Sequence, residues 1–539
     1  MNIAGGAGAV AQTRPYGSLV PADHLEIETK FDVPLSFAVP ELHEVEGVAS
    51  ADDPVEHRLE AQYFDTADLR LAAARITLRR RTGGPDDGWH VKLPASGDAR
   101  RELQVPLGRA TRRPPKALAD PLAGVLRGAA PVAVAQLRTR RVVVVLRDAE
   151  SRPLAEVADD SVSATRLSGP DGTVEVRSWR EVEVELVQGD RDLLARVGEQ
   201  LVAAGAERTA RASKLARALG LEDGQPDEGR EEPPRKKGGK KHRDKKHRDP
   251  APAAGEVVQA ILREQVTALQ LADVGLRTGA DDGLRRMRIA CRSLRATLAA
   301  FRPVLEREAT EPLRDGLGRL AGRLSEARDD EVAFAALRAA VAELPVELVL
   351  GPVAARLQAG EVAAAELGRT RVAALLAERE HLDLLDALHA LLADPPLTER
   401  ASEPAGPVLE RILHREARRV RRAVAAAEAL EGPQRTEALH RVRRVARRAR
   451  RAAAAVAPVA GGRAREVSRA AKRTQRLLGA MQDLVVAGER CRSLAVRAHA
   501  AGEPGFTYGL LLGRAEARAR DAEQAFVERW PSLAQRLGG

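Results

Sequence analysis

The stretch His24-Leu-Glu-Ile-Glu-Thr-Lys-Phe31 decides how the first half of this chain is read. Its charged residues Glu26, Glu28 and Lys30 recur at every second position. A β-strand turns alternate side chains to opposite faces, so these three share one face and Leu25, Ile27, Thr29 and Phe31 share the other. Two readings stay open on these residues alone. In a filled sandwich the apolar face turns inward and the charged triplet faces water. In a wide barrel with a wet interior the triplet turns inward, where two carboxylates about 7 Å apart beside an ammonium can hold Mg2+ or Mn2+ on a phosphate chain.

The same alternation returns along the first 220 residues. Arg79 and Arg81 alternate with Leu78 and Arg80, and His90 and Lys92 with Trp89, Val91 and Leu93. Glu102 follows Arg100-Arg101, Arg138 and Arg140 lead into the apolar run 142–146, Glu156 and Asp160 share a face with Ala158, and Glu181, Glu183 and Glu185 alternate with Val182, Val184 and Leu186. Strands that each carry one charged face, with both signs represented, suit an antiparallel barrel with an ionic interior; a sheet with one wet face is the alternative.

This ordered series resembles the CYTH domains, also called triphosphate tunnel metalloenzymes. The matching residues are Glu26-x-Glu28-x-Lys30, Tyr63-Phe-Asp-Thr66, Leu78-Arg79-x-Arg81, Lys92, the arginines from 138 to 141, Glu156 with Asp160, Glu183-Val-Glu-Leu186 and Ser213-Lys214, spread over residues 22–221. The resemblance implies an eight-stranded antiparallel tunnel that takes a triphosphate; members hydrolyse inorganic or thiamine triphosphate, or cyclise ATP. It makes Glu26, Glu28 and Lys30 the catalytic motif. Lys30, Arg79, Arg81, Lys92, Arg138, Arg140 and Lys214 would neutralise a substrate of about four negative charges, the arginines gripping two oxygens each. Glu26, Glu28, Glu183 and Glu185 would hold Mg2+ or Mn2+, hard cations that want oxygen.

With 539 residues, 44% of them apolar, the chain has room for two or more domains with proper cores. Only 2% are aromatic, which argues against recognition of nucleic acid by stacking. Cys291 and Cys491 form no CxxC pair, so neither a disulfide framework nor a zinc site is expected, as suits a reducing cytoplasm. No signal-like start and no long apolar run is seen, and residues 1–21 read as a disordered start to a cytoplasmic protein, one that could sit at polyphosphate granules. Residues 222–254, poor in large apolar side chains, read as a disordered basic linker carrying the tandem repeat Lys240-Lys-His-Arg-Asp244 and Lys245-Lys-His-Arg-Asp249.

From residue 255 the period changes to that of a helix. Met287, Cys291, Leu294, Leu298 and Phe301 form an apolar stripe beside a basic one of Arg285, Arg288, Arg292 and Arg295. The basic stripe returns 155 positions later as His440, Arg443, Arg447 and Arg450, and Leu324–Asp329 matches Leu478–Asp483 at 154, which predicts an internal duplication. Residues 440–451 hold seven arginines and no acid, an anion-binding face or a solvated one, with Asp329, Asp330 and Asp483 as candidate partners that position arginines. Residues 255–533 resemble the CHAD domain, an α-helical domain associated with inorganic polyphosphate. The resemblance makes Arg288, Arg292, Arg295, His440, Arg443, Arg447 and Arg450 the polyphosphate-binding set. Arg285 stands where the family usually has histidine, which favours an electrostatic groove over a pair of histidines.

The whole chain therefore reads as an α+β multidomain protein, an antiparallel eight-stranded β tunnel followed by an all-α duplicated helical bundle. The leading functional reading is a divalent-metal-dependent triphosphatase fed by a polyphosphate-binding domain. A non-catalytic polyphosphate-binding protein is the alternative, and an adenylate cyclase-like activity comes third. A formal charge of +10 would attract any polyanion, but without a recognition helix, stacking aromatics or a zinc finger, nucleic acid ranks well below polyphosphate.

Overall fold

The computed structural model describes residues 21–95, 99–108, 113–167, 175–209, 213–221, 251–280 and 282–538. The expected disordered start (1–20 of 1–21) and nearly all of the expected linker, with its Lys-Lys-His-Arg-Asp repeat, lie outside the described residues. The chain folds as two units divided within that linker.

In the first unit, eleven strands form one antiparallel sheet among the described residues: β1 (Ala22–Glu26), β2 (Glu28–Val33), β3 (Ser50–Ala51), β4 (Val55–Asp65), β5 (Thr77–Thr82), β6 (Gly88–Pro94), β7 (Arg100–Val105), β8 (Val132–Arg147), β9 (Pro153–Arg166), β10 (Glu175–Leu186) and β11 (Glu207–Arg208). Their order is β1-β7-β6-β5-β4-β8-β9-β10-β2-β11, with β3 on β8. The two ends of this order meet in one chain segment. Residues 22–33 break only at Ile27; the part before it pairs with β7 and the part after it with β10. Counting β1 and β2 as one strand leaves eight long strands around an interior, with β3 and β11 as short additions.

Period two explains how this sheet can hold charge inside. On β2 and β10 the even face of the first and the odd face of the second line a cavity, while Phe31, Val33, Val182 and Val184 on the opposite faces are buried against Leu193, Val197 and Leu201 of the helix α4 (Arg191–Ala203). Each of these apolar side chains contributes on the order of 1.5–3 kcal/mol by leaving water. One end of the interior is filled by the helix α5 (Lys214–Leu219), whose Leu215, Ala218 and Leu219 pack on Ala61, Leu137, Val162 and Trp179. Ser213 caps this helix, accepting from the Ala216 N–H at 3.1 Å, and so fixes where Lys214 leaves the backbone. The one-turn helices α1 (Arg70–Ala73), α2 (Lys116–Ala119) and α3 (Ala123–Leu126) complete the unit.

The second unit is helical: α6 (Ala254–Arg277), α7 (Gly283–Ala300), α8 (Arg307–Ala342), α9 (Val353–Ala377), α10 (Arg379–Ala393), α11 (Ala405–Glu428), α12 (Gly432–Ala500) and α13 (Phe506–Gly538). The apolar stripe of Met287, Cys291, Leu294, Leu298 and Phe301 is in its core, which runs past residue 533 to Leu537. α12 doubles back on itself at Gly461, whose φ of 62° only glycine adopts cheaply; His440 and Gln482 then meet at 2.9 Å. The two halves of α12 thus repeat the α7–α8 hairpin. The repeat extends beyond the basic stripes: the Ala254 N–H donates to Glu403 O and the Ala405 N–H to Pro252 O, both at 2.9 Å, a reciprocal pair that makes α11 the duplicate of α6 at an offset of 151, with Ala254-Gly255, Val257 and Ile261-Leu262 matching Ala405-Gly406, Val408 and Ile412-Leu413.

Glycines separate close packing from mere flexibility here. A Cβ on Gly368 of α9 would stand 2.1 Å from the Ala327 carbonyl oxygen of α8, whereas one on Gly322 of α8 meets nothing within 4 Å. In thermal unfolding, Gly368→Ala should destabilise the helical unit by about 2 kcal/mol, while Gly322→Ala should stabilise it by about 0.5–1 kcal/mol. Equal effects of one sign would mean that α8 and α9 are not in backbone contact.

Candidate active site and basic groove

The interior of the first unit is a cavity of about 680 Å3, within the range of small-ligand sites. Glu26, Glu28, Lys30, Arg79, Arg81, Lys92, Glu183, Glu185 and Lys214 all line it. The cross-strand register gathers them: Glu28 stands opposite Glu185 and Lys30 opposite Glu183 on β2 and β10. Lys92 donates to Glu26 at 2.6 Å, and Lys30 lies 3.1 Å from Glu28 and also contacts Glu183. Lys214 sits among Asp160, Glu181 and Glu183 at 3.0, 2.6 and 2.7 Å.

Two predicted residues are elsewhere. Arg138 and Arg140 project from the other face of β8, 72% and 56% exposed, and pair with Glu60 and Glu56 at 3.2 and 2.8 Å. The residue that enters the cavity is Arg141, bonded to Asp160 at 2.6 Å and to Glu183 at 2.7 Å. The reason is register. Arg141 lies opposite Asp160, which lies opposite Glu181, so these three form one inward row, while Arg140 lies opposite Ser161. The register was the signal, because local sequence places arginine at both parities of β8. His24 and Glu102 were also missed as site residues. They lie opposite each other on β1 and β7, and His24 is 3.4 Å from Glu102 and 3.5 Å from Glu26.

The cavity has two poles. At one, burial together with Arg79 and Arg141 brings Arg81 down to about 9 although Arg81 contacts Asp86 and Arg79 lies 3.5 Å from Glu102, and the Nε atoms of Arg79 and Arg81 are buried with no hydrogen-bond partner. Like charges crowded this way favour an anion. At the other, burial and the carboxylates of Glu26, Glu28 and Glu183, only partly offset by Lys92, push Glu185 up to about 7. A carboxyl whose proton affinity is raised by its neighbours is short of positive charge, and a hard divalent cation fits such an oxygen donor. Between the poles Glu183 is held well below the usual carboxylate range, burial notwithstanding, by Lys214, Lys30 and Arg141. Two groups bring their ligand atoms within 4.8 Å of one another, His24 with Glu26 and Glu102, and Asp160 with Glu181 and Glu183.

In the second unit the predicted arginines converge from α7 and the first half of α12. Arg288 reaches Asp329 at 3.3 Å and Arg443 reaches Asp483 at 3.4 Å, one contact made twice by the duplication. Asp330 likewise pairs with Arg490, so the three acids position arginines. Burial, then Arg292, Arg443, Arg451 and Arg288, bring Arg447 down to about 10. Arg451, absent from the predicted set, belongs to this cluster and is also brought down to about 10. Arg450 turns to Gln475 at 2.9 Å, Arg295 lies against Gly318, and Arg285 is exposed.

Comparison with known proteins matches both halves. The CYTH domain model covers residues 24–219 and the CHAD domain model residues 260–492. The uncharacterized protein Rv2226 of Mycobacterium tuberculosis strain H37Rv is 35% identical over 503 residues, spanning 91% of this chain and 93% of that protein. The uncharacterized protein MT2285 of strain CDC 1551 matches to the same extent. Among solved structures, PptA from Streptomyces chartreusis shares 22% identity, 52% of this chain and 99% of its own, with a TM-score of 0.42. The CHAD domain from the plant Ricinus communis shares 22% identity, 53% of this chain and 92% of its own, with a TM-score of 0.40.

The parity of β8 yields a direct test with triphosphate as the probe. Arg141→Gln should weaken its binding by about tenfold or more, a charge-assisted bidentate contact being lost, and Arg138→Gln/Arg140→Gln should leave it unchanged by calorimetric titration. Loss in the double variant alone would reverse the register.

Proposed function

Because the chain belongs to the CYTH family through its first half and to the CHAD family through its second, we propose that it is a divalent-metal-dependent phosphohydrolase of inorganic triphosphate or related polyphosphate and organic triphosphates, its helical half binding inorganic polyphosphate. The observation that carries this reading is the two-pole cavity: unpartnered guanidinium Nε atoms and a depressed Arg81 at one end, an elevated Glu185 among carboxylates at the other. A phosphate chain lies naturally between such poles. Arg79, Arg81, Arg141, Lys30, Lys92 and Lys214 would grip its oxygens, and Glu26, Glu28, Glu183 and Glu185 would hold Mg2+ or Mn2+. When bound, the metal supplies a Lewis acid that withdraws charge from the phosphoryl group.

The chain's own residues do the rest by positioning. Lys30 is tied to Glu28 and Glu183, and Lys92 to Glu26. A substrate would take these partners, the ammonium groups passing to phosphate oxygens, and the carboxylates so freed are those that would hold the cation. Held this way, the scissile phosphorus faces fixed charge that needs no reorganisation as the transition state forms. Of Phe, Tyr and Trp, Tyr63 alone among the described residues lines the cavity; with one ring to stack an adenine, the cyclase-like activity stays behind hydrolysis. A helical half that grips polyphosphate would bring the chain to polyphosphate granules. Among the described residues no helix is long and apolar enough to cross a membrane.

The test is phosphate release from triphosphate, thiamine triphosphate, ATP and long-chain polyphosphate, with Mg2+ or Mn2+ and with a chelator. Release should need the metal, and Glu28→Gln should lower it by about 100-fold or more, with binding of the metal-free anion retained. Tight binding without release in the wild-type chain would leave the non-catalytic reading standing, and full activity in Glu28→Gln would overturn the site.

A further inference from the structure

A second concentration of arginine lies on the helical unit beside the basic groove, around the face of α12 that carries Arg448. Arg302 follows the C-terminus of α7, Arg314 is on α8, and Arg415 and Arg419 are on α11. Their acids are shared. Glu311 takes Arg302 at 2.5 Å and contacts Arg314, and fully buried Glu416 takes both nitrogens of Arg448 at 2.7 and 2.5 Å, with Arg415 at 3.9 Å. Arg415 also donates to the carbonyl of Ala300, two residues before Arg302, and its buried Nε has no hydrogen-bond partner. The five guanidiniums thus share Glu311, Glu416 and the more distant Asp315, with Arg419 near Glu416 but not paired to it in a salt bridge. Arg314, Arg415 and Arg419 are each held below the usual arginine range, by burial first and then by one another's neighbours Arg302 and Arg448.

The duplication provides an internal control on whether the fold needs this cluster. At the offsets of 155, 154 and 151 that relate the repeats, Arg302 corresponds to Ala457, Arg314 to Ser468, Arg415 to Glu264, Arg419 to Ala268 and Arg448 to Ser293. Pro303 and Pro458 fall at matching places, which anchors the alignment. The same helical architecture therefore stands on its other side without any of the five arginines. Their like-charge crowding is a cost the fold does not require, and such a cost persists at sites that bind.

We propose that Arg302, Arg314, Arg415, Arg419 and Arg448 form a second oxyanion site, separate from the groove of Arg288, Arg292, Arg443 and Arg447, which takes phosphate groups of a chain long enough to pass around α12. Successive residues of a helix point about 100° apart, so Arg447 and Arg448 present the two clusters on adjoining faces of one helix. A long polyphosphate would meet both and a triphosphate only one, which gives the helical unit a preference for length. The identity of the anion rests on the proposed function; the existence of a built cation cluster does not.

The experiment measures binding of long-chain inorganic polyphosphate to the full chain across a range of salt. Arg302→Gln/Arg419→Gln leaves Glu311 with Arg314 and Glu416 with Arg448, so no buried acid is orphaned. It should weaken long-chain binding by about tenfold and flatten the log–log salt slope by about 1.4, at roughly 0.7 per contact for a flexible single-stranded polyanion. Its melting temperature should equal or exceed that of the unaltered chain, because repulsion is relieved; a merely structural role predicts a fall. Binding and slope equal to those of Arg369→Gln/Arg371→Gln, two exposed arginines on α9, would overturn the second site while loss in Arg292→Gln/Arg447→Gln upheld the groove. No loss in either pair would overturn both the site and the polyphosphate reading. A fall in melting temperature together with lost binding would assign the cluster to structure.

Discussion

A charge enters the interior of a protein only with its counter-charge, and the first unit is organised around that requirement. Lys30, Lys92, Lys214 and Arg141 each sit against a carboxylate contributed by another element, so the lumen is an ionic lattice held by strand register. The lattice is not what holds the barrel together. Phe31, Val33, Val182 and Val184 under α4, and the stopper formed by α5, remove apolar surface from water on the outside and at one end. With stability supplied there, the inner face is free to carry groups chosen for chemistry.

The helical unit treats charge in the opposite way. Its core comes from a repeated stripe of Met, Cys, Leu, Val and Ala that needs no ions. The surface arginines outnumber the acids that touch them, and Asp329 and Asp483 orient Arg288 and Arg443 without neutralising the cluster. What remains is a field of unspent positive charge, screened within about 8–10 Å at ordinary salt. A lumen that neutralises itself and a surface that does not will therefore answer ionic strength differently: exposed contacts weaken steeply, buried ones little.

How much of this was readable from sequence depends on whether the information is local. Period two put Glu26, Glu28, Lys30, Arg79, Arg81, Lys92, Glu183 and Glu185 on the faces that line the cavity, because alternation with Ile27, Thr29, Leu78, Val91, Val182 and Val184 sets the parity even where Arg80 and Arg180 interrupt it. β8 defeats that reasoning, since Arg138, Arg140 and Arg141 occupy both parities and only the pairing of Arg141 with Asp160 selects one. His24 and Glu102 meet through the pairing of β1 with β7, across 78 residues of chain, and nothing near either residue announces the other. In the helical unit the stripe at 285–295 and 440–450 showed the duplication because it kept its arginines. α6 and α11 share Ala254-Gly255, Val257 and Ile261-Leu262 with Ala405-Gly406, Val408 and Ile412-Leu413, common small and aliphatic residues that stand out as a repeat only beside the reciprocal backbone bonds to Glu403 and Pro252.

Charge balance in the lumen also bears on why a phosphate-binding cavity should be acidic at all. Seven lysines and arginines line it against nine aspartates and glutamates. A bare triphosphate, with about four negative charges, would raise a negative excess in a place of low dielectric, where uncompensated charge is most costly. The same anion carrying one or two divalent cations arrives nearly neutral, and the internal ion pairs can then be traded one for one: ammonium from carboxylate to phosphate, carboxylate from ammonium to metal. No net charge is buried in the exchange. Under the proposed function, metal thus strengthens binding as well as serving chemistry, and Glu26, Glu28, Glu183 and Glu185 favour the anion that arrives with its cation over the bare one by the same charge that receives the cation.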